Sequence, residues 1–89
     1  GMHGFTISLA QENAKFGITV NTVSPGYIGT DMVMDVPEEV RNKIIQQIPT
    51  GRLGSPDEIA YAVGFFIPDE AAWITGANLS ANGGQYMGW

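Results

Sequence analysis

The sequence contains no cysteine, which excludes disulfide bonds, thiolate nucleophiles and zinc–thiolate sites. It has only four basic residues against nine acidic ones, for a net charge of −5. This balance argues against nucleic acid as a partner, because a phosphate backbone is bound mainly by Lys and Arg. No apolar run reaches the roughly 18 residues that a membrane span requires. No secretory signal is visible, so we predict a cytoplasmic protein that does not bind a membrane.

The remaining composition is that of a folded chain. The sequence has 89 residues, of which 44% are hydrophobic and 15% are charged, so at most one domain is expected and disorder is excluded. Gly1 directly before Met2 is typical of a scar left by tag removal, with Met2 as the true start. The alternative is a native Gly1 in a chain cut from a longer one.

A strand followed by a loop is the most informative stretch. Residues 18–24 alternate and are rich in β-branched side chains, which predicts a strand in a sheet covered on both faces. Pro25 has no N–H for a ladder and should end the strand, and Gly26 allows a sharp turn and close approach of a ligand. In open α/β sheets, ligands bind outside the carboxyl ends of the strands. The loop from Pro25 to Asp31 is therefore a candidate binding loop.

Helices are predicted on both sides of this strand. In residues 2–15, Phe5, Leu9 and Ala10 share one apolar face, and Gly17 stands where a left-handed cap belongs. In residues 36–48, an apolar stripe predicts an amphipathic helix. Its expected start is a capping box between Asp35 and Glu38, with Pro37 in the first turn.

A further helix is predicted to begin at Ser55, because a Ser cap, a Pro at the first position and two acids follow one another. Its apolar residues, which include Phe65 and Ile67, cover more than one face. A short strand at 77–81 and a turn at 82–84 follow. Two strands joined by helices should pair in parallel.

The candidate loop, Asn21-x-Val23-x-Pro25-Gly26-x-Ile28-x-Thr30, resembles the cofactor loop of the short-chain dehydrogenase/reductase family. Other segments resemble the same family in the same order: residues 1–6 its helix after the catalytic residues, residues 51–60 the turn into its penultimate helix, and residues 74–76 and 82–84 the flanks of its last strand. The resemblance implies an α/β fold. The chain would form the C-terminal part of a Rossmann-like doubly wound parallel sheet, in the order helix-strand-loop-helix-helix-strand.

The resemblance also implies roles for segments and residues. Residues 24–32 would be the cofactor loop, 36–48 a lid helix, and 55–82 the last helix and strand of one C-terminal segment spanning residues 1–89. The expected cofactor-binding residues are Pro25, Gly26, Ile28 and Thr30, and the expected substrate-binding residues are Gly26 and Tyr27. The cofactor would be NADP(H), with NAD(H) left open. No metal is expected, since His3 has no carboxylate at ligand spacing and is interpreted as a solvated or packed side chain.

Within the family, the chain is most similar to the acetoacetyl-CoA reductases, which reduce a 3-oxoacyl thioester with NADPH. Pro37 stands near the position where that subgroup tends to carry a basic residue for the CoA phosphates. A 3-oxoacyl-[acyl carrier protein] reductase is therefore the alternative.

The family's catalytic tyrosine, with a lysine four residues later, has no counterpart among Tyr27, Tyr61 and Tyr86. The Gly-rich pyrophosphate turn has none either. We therefore expect no catalytic residue in this chain and no hydride transfer by it alone. A second hypothesis is a truncated, non-catalytic association module. The resemblance implies a homodimer or homotetramer, with Phe65, Phe66 and Trp89 near its contacts.

Overall fold

The computed structural model describes residues 2–85. Their elements are, in chain order, α1 (Met2–Asn13), β1 (Thr22–Pro25), α2 (Asp31–Met34), α3 (Glu38–Gln46), α4 (Pro56–Gly64) and β2 (Asn78–Ala81), with short 3-10 helices at Ala14–Phe16 and Asp69–Ala71. The predicted α/β class is confirmed in this part of the chain. A full doubly wound sheet stays a prediction.

The two strands form a parallel sheet, as the sequence predicts. Thr22 pairs with Asn78 and Pro25 pairs with Ala81. The crossover between the strands contains α2, α3 and α4. Beyond the last pair, the N–H of Gly26 donates to the carbonyl of Ala81 at 3.0 Å, so the binding loop starts at the carboxyl edge of the sheet.

The predicted strand at 18–24 is wrong in its first half, because β1 begins only at Thr22. Side chains replace the ladder before that point. The Asn21 amide donates to the carbonyl of Ile74 at 3.1 Å and accepts from the N–H of Ala77 at 3.0 Å. The N–H of Val20 donates to the Thr75 hydroxyl at 3.0 Å. This segment is fixed against 74–77 without being a strand.

The first helix ends at the predicted cap and buries only part of the predicted face. Gly17 adopts a left-handed conformation with φ of 74° and its N–H donates to the carbonyl of Ala14, which confirms the predicted cap. Thr6 and Ala10 are buried, whereas Phe5 is 63% exposed. The predicted apolar face is therefore confirmed at Ala10 and wrong at Phe5. The hydroxyl of Thr6 shares a hydrogen bond of 2.8 Å with that of Thr22, and this polar contact orients α1 on the sheet.

The lid helix predicted at 36–48 is shorter in the structure. It is α3, which begins at Glu38 and ends at Gln46. Pro37 precedes α3 with extended backbone and no side-chain cap is made there, so the predicted capping box from Asp35 is wrong. Ile48 lies beyond the helix and is buried, with 4% of its surface exposed. It anchors this end of the segment in the core.

The start of α4 confirms its prediction in full. The Ser55 hydroxyl accepts from the N–H of Glu58 at 3.2 Å, and the Glu58 carboxylate accepts from the N–H of Ser55 at 3.0 Å. Pro56 occupies the first helical position. Side chains thus pair the N–H groups of both Ser55 and Glu58, which is the reason a capping box is stable.

The core of the described residues is small and made of small side chains. Its buried apolar members are Ala10, Ile48, Ala62 and Ala71. The accessible surface is 6496 Å², against about 5,000 Å² for a compact folded monomer of this mass. Several large apolar side chains are exposed, among them Tyr61, Phe65, Ile67 and Trp73. Trp89, predicted near a subunit contact, lies outside the described residues.

Candidate functional site

The loop that follows β1 begins with a close approach between two backbones. A Cβ added to Gly26 would lie 2.9 Å from both Cα and Cβ of Asn82, closer than real Cβ contacts allow. The backbone of Gly26 does not have positive φ. The glycine is therefore required by packing against the turn after β2, and not by the sharp turn that the sequence suggested.

Gly54 fixes the middle of the loop. Its N–H donates to the carbonyl of Tyr27 at 3.0 Å, and its carbonyl accepts from the N–H of Gly29 at 2.8 Å. These two bonds form an isolated parallel bridge between Ile28 and Gly54. A Cβ on Gly54 would lie 3.0 Å from Cδ1 of Ile28, so a glycine gives the loop room to pair there. Residues 26–30 are thus held at both their start and their centre.

The bridge leaves the polar groups of Ile28 directed away from Gly54. Within residues 2–85 the N–H of Ile28 has no hydrogen-bond acceptor, and its carbonyl accepts from the N–H of Thr30 at 2.8 Å. Thr30 is exposed and its hydroxyl does not cap α2. The loop therefore presents a main-chain donor and a hydroxyl, which can both donate and accept. A carboxamide, which carries an NH₂ and a carbonyl, fits this set.

The turn that carries Gly54 is tied to α4 by an ion pair. The Arg52 guanidinium donates from Nη1 to Oε1 of Glu58 at 2.7 Å and from Nη2 to Oε2 at 2.8 Å. The hydrogen bonds from Arg52, followed by the N–H of Ser55, lower the pKa of Glu58 to about 2. The sequence identified the helix cap but not this pair, because six residues separate the partners and no helical spacing joins them.

A cavity in the described part of the chain has a volume of about 660 Å³. Its walls include the apolar side chains of Ile48, Ile59 and Leu79, and Arg52 also lines it. Of the predicted site residues, only Tyr27 reaches this cavity. Pro25, Gly26, Ile28 and Thr30 do not line it, so Tyr27 is the one member of the predicted set that the structure brings to the cavity.

Other candidate groups do not assemble into a site. His3 is exposed on α1. Among residues 2–85, no three His, Asp or Glu side chains lie close enough together to hold a metal ion. No helix in that range combines the length and apolar character needed to cross a membrane.

Comparison with known proteins gives the loop its context. Residues 1–85 match the family described as enoyl-(acyl carrier protein) reductase. The chain belongs to the short-chain dehydrogenase/reductase family. The resemblance of residues 21–30 and 51–60 to that family is thereby confirmed.

Several curated relatives of this chain are named as reductases of 3-oxoacyl thioesters. An acetoacetyl-CoA reductase of Shinella zoogloeoides is 63% identical over 85 residues, covering 94% of this chain and 35% of the relative. An acetoacetyl-CoA reductase of Allochromatium vinosum is 55% identical over 87 residues, covering 98% and 35%. A 3-oxoacyl-[acyl-carrier-protein] reductase of Escherichia coli is 54% identical over 87 residues, covering 98% and 36%. The chain spans about a third of the length of these relatives.

Proposed function

We propose that this segment belongs to an NADP(H)-dependent reductase of 3-oxoacyl thioesters, of the acetoacetyl-CoA reductase type. Its part in that enzyme is to hold the nicotinamide end of the cofactor and to form a wall of the acyl pocket. The observation that carries the proposal is the loop at residues 26–30, fixed by Gly54 at the carboxyl edge of the sheet. Ligands of open α/β sheets bind at this edge.

The cofactor contacts follow from the groups that the loop leaves available. The N–H of Ile28 would donate to the carboxamide oxygen, and the hydroxyl of Thr30 would bind the carboxamide or the pyrophosphate. Pro25 and Gly26 would line the approach, since they connect the strand to the loop. When bound, the nicotinamide supplies the hydride. The residues of this chain bind and orient it, which is the usual division of work in cofactor enzymes.

Tyr27 is the proposed substrate contact, with Gly26 beside it. It lines the cavity of about 660 Å³ together with apolar side chains, and this volume lies within the ~300–1,000 Å³ of ordinary ligand pockets. The apolar wall suits a short acyl chain. The names of the relatives support a 3-oxoacyl thioester as substrate.

A transplant tests the proposal. The part of this chain that aligns with the Shinella zoogloeoides reductase would replace the matching segment of that enzyme, and NADPH oxidation would be measured with acetoacetyl-CoA. We expect kcat/KM within about tenfold of the parent, because the loop supplies the same contacts. A folded transplant that binds NADPH but does not reduce acetoacetyl-CoA would overturn the substrate assignment. A folded transplant that does not bind NADPH would overturn the cofactor assignment.

The acyl carrier protein is the alternative carrier. Pro37, just before α3, stands where the resemblance implies a basic residue for CoA phosphates, and relatives of similar identity are named as 3-oxoacyl-[acyl-carrier-protein] reductases. The same transplant distinguishes the two carriers if kcat/KM is compared for acetoacetyl-CoA and acetoacetyl-[acyl carrier protein]. A preference for the carrier protein above that of the parent would favour the alternative.

We also propose that the protein associates as a homodimer or homotetramer through α4. Tyr61 is 82% exposed and Phe65 is 52% exposed, and both line an apolar groove of about 490 Å³ beside Ile74. Exposed aromatic side chains one helical turn apart are typical of an interface. NADP(H) as the specific cofactor and a cytoplasmic location stay predictions.

A further inference from the structure

The ion pair of Arg52 and Glu58 binds the main chain of both residues that flank Gly54. On one side, the Arg52 guanidinium donates to the carbonyl of Leu53 at 3.1 Å. On the other, the carboxylate of Glu58 accepts from the N–H of Ser55 at 3.0 Å. The two side chains are joined to each other by the bidentate bonds of 2.7 and 2.8 Å. The pair thus restrains the main chain immediately before and after Gly54 by hydrogen bonds.

Gly54 in turn holds the loop with both of its own polar groups. Its N–H and carbonyl bind Tyr27 and Gly29, the two neighbours of Ile28. The ion pair is therefore connected to Ile28 through main-chain groups only. Its side chains bind the main chain of Leu53 and Ser55, the chain neighbours of Gly54, and Gly54 binds the chain neighbours of Ile28. A shift of Gly54 must displace the main chain on both sides of Ile28.

We propose that Arg52 and Glu58 are positioning residues that orient the N–H of Ile28 toward the nicotinamide carboxamide, acting through Gly54. The link to the cofactor rests on the proposed function, whereas the clamp itself rests only on contacts within this chain. Neither side chain needs to touch the cofactor. An exposed pair is suited to this role because its bidentate geometry fixes direction as well as distance.

The chain offers variants that separate the ion pair from the helix cap. Arg52→Gln removes the pair and leaves the capping box intact. Glu58→Gln also removes the pair, while its amide oxygen can still accept from the N–H of Ser55. Glu58→Ala removes the pair and also the bond to the N–H of Ser55, and so reports what loss of that half of the capping box adds. Lys15→Gln removes one exposed positive charge in the segment before β1 and is the matched control.

The clamp is tested in the 89-residue chain without any ligand. Amide hydrogen exchange would be measured at Gly29 and Gly54, whose N–H groups form the bridge. We expect exchange about two- to fivefold faster in Arg52→Gln and Glu58→Gln, the size of effect that one exposed ion pair produces. The double variant should match the single ones, and Lys15→Gln should match the parent. Unchanged exchange in both single variants would overturn the clamp.

The cofactor link is tested by kinetics in the full-length transplant. Arg52→Gln should raise KM for NADPH about two- to fivefold and change kcat little. Simple destabilisation would instead reduce the amount of active enzyme, which lowers apparent kcat and leaves KM unchanged. Faster exchange in the chain with KM for NADPH unchanged would overturn the positioning role of Arg52 and Glu58 toward the cofactor while the clamp stands. A parent transplant that does not bind NADPH at all would count against the proposed function alone.

Discussion

Gly26 and Asn82 approach so closely that no side chain can be added between them. A Cβ on Gly26 would lie 2.9 Å from Cα of Asn82, and this backbone cannot move without breaking the bond from the N–H of Gly26 to the carbonyl of Ala81. The start of the binding loop and the turn after β2 are therefore a single packed unit.

Gly26→Ala should destabilise the protein for this reason. Overpacking against a rigid neighbour costs about 1–3 kcal/mol, and we expect the free energy of unfolding to fall by this amount in a urea titration. Gly29→Ala is the control, because the nearest atom to its added Cβ is the Gly54 carbonyl oxygen at 3.6 Å. If the two variants lose equal stability, crowding by Asn82 is not the reason for the glycine.

Tyr27→Ala and Thr30→Ala should affect different ligands. In the full-length transplant, Tyr27→Ala should raise KM for the acyl thioester more than KM for NADPH, because Tyr27 lines the cavity. Thr30→Ala should do the reverse, because its hydroxyl is one of the groups that the loop presents. The loss of one polar contact corresponds to about 0.5–1.5 kcal/mol. Equal effects of both variants on both values of KM would contradict the division.

The stability contributed by Glu58 should depend on pH in a defined window. Its pKa is lowered from 4.5 to about 2 in the folded chain. The contribution of the carboxylate is therefore complete above pH 4.5 and is lost as the pH falls toward 2. The denaturation midpoints of the parent and Glu58→Gln should differ at pH 6 and converge near pH 2. Other carboxylates titrate in both proteins and cancel in the difference. A difference that does not change with pH would show that the charge on Glu58 plays no part.

Association through α4 should respond to charge placed in the apolar groove. Light scattering of the parent chain at micromolar concentration is expected to show a dimer or larger species. Phe65→Glu should shift it to monomer, because a carboxylate would be buried in an apolar interface. Lys43→Glu makes a charge change on an exposed position of α3 and should leave the mass unchanged. A folded monomer of the parent chain would contradict the proposal.

Local signals in the sequence were sufficient where the structure depends on neighbours along the chain. The Ser55 cap of α4 and the left-handed cap at Gly17 are set within a few residues, so these predictions succeeded. The parallel pairing also followed, because the connection is too long for a hairpin.

Predictions failed where contacts between distant residues decide the outcome. An apolar pattern predicts that Phe5 is buried and Thr6 is exposed. In the structure Thr6 is buried because its hydroxyl forms a hydrogen bond with that of Thr22. The alternation at 18–21 resembles a strand, yet the Asn21 side chain replaces the ladder there. Neither contact can be recognised from the periodicity of apolar residues in the sequence.

The site was predicted in part for the same reason. The position of the loop was predicted to within one residue at each end, since Pro25 is the last residue of β1 and Asp31 is the first residue of α2. The bridge from Ile28 to Gly54 and the Arg52–Glu58 pair were missed. Both join segments that only the fold brings together. The roles of the loop residues toward cofactor and substrate remain predictions.

The bridge between Ile28 and Gly54 also closes residues 29–53 into an excursion whose two ends meet at one point. A change in the length of α2 or α3 therefore leaves Gly54 paired with Ile28. Doubling the length of such an excursion adds only about 0.6 kcal/mol of closure entropy. Insertions and deletions between residues 31 and 47 are therefore expected to change α2 and α3 without moving Ile28. The fold can thus vary the segment beside the loop while keeping the bridge between Ile28 and Gly54.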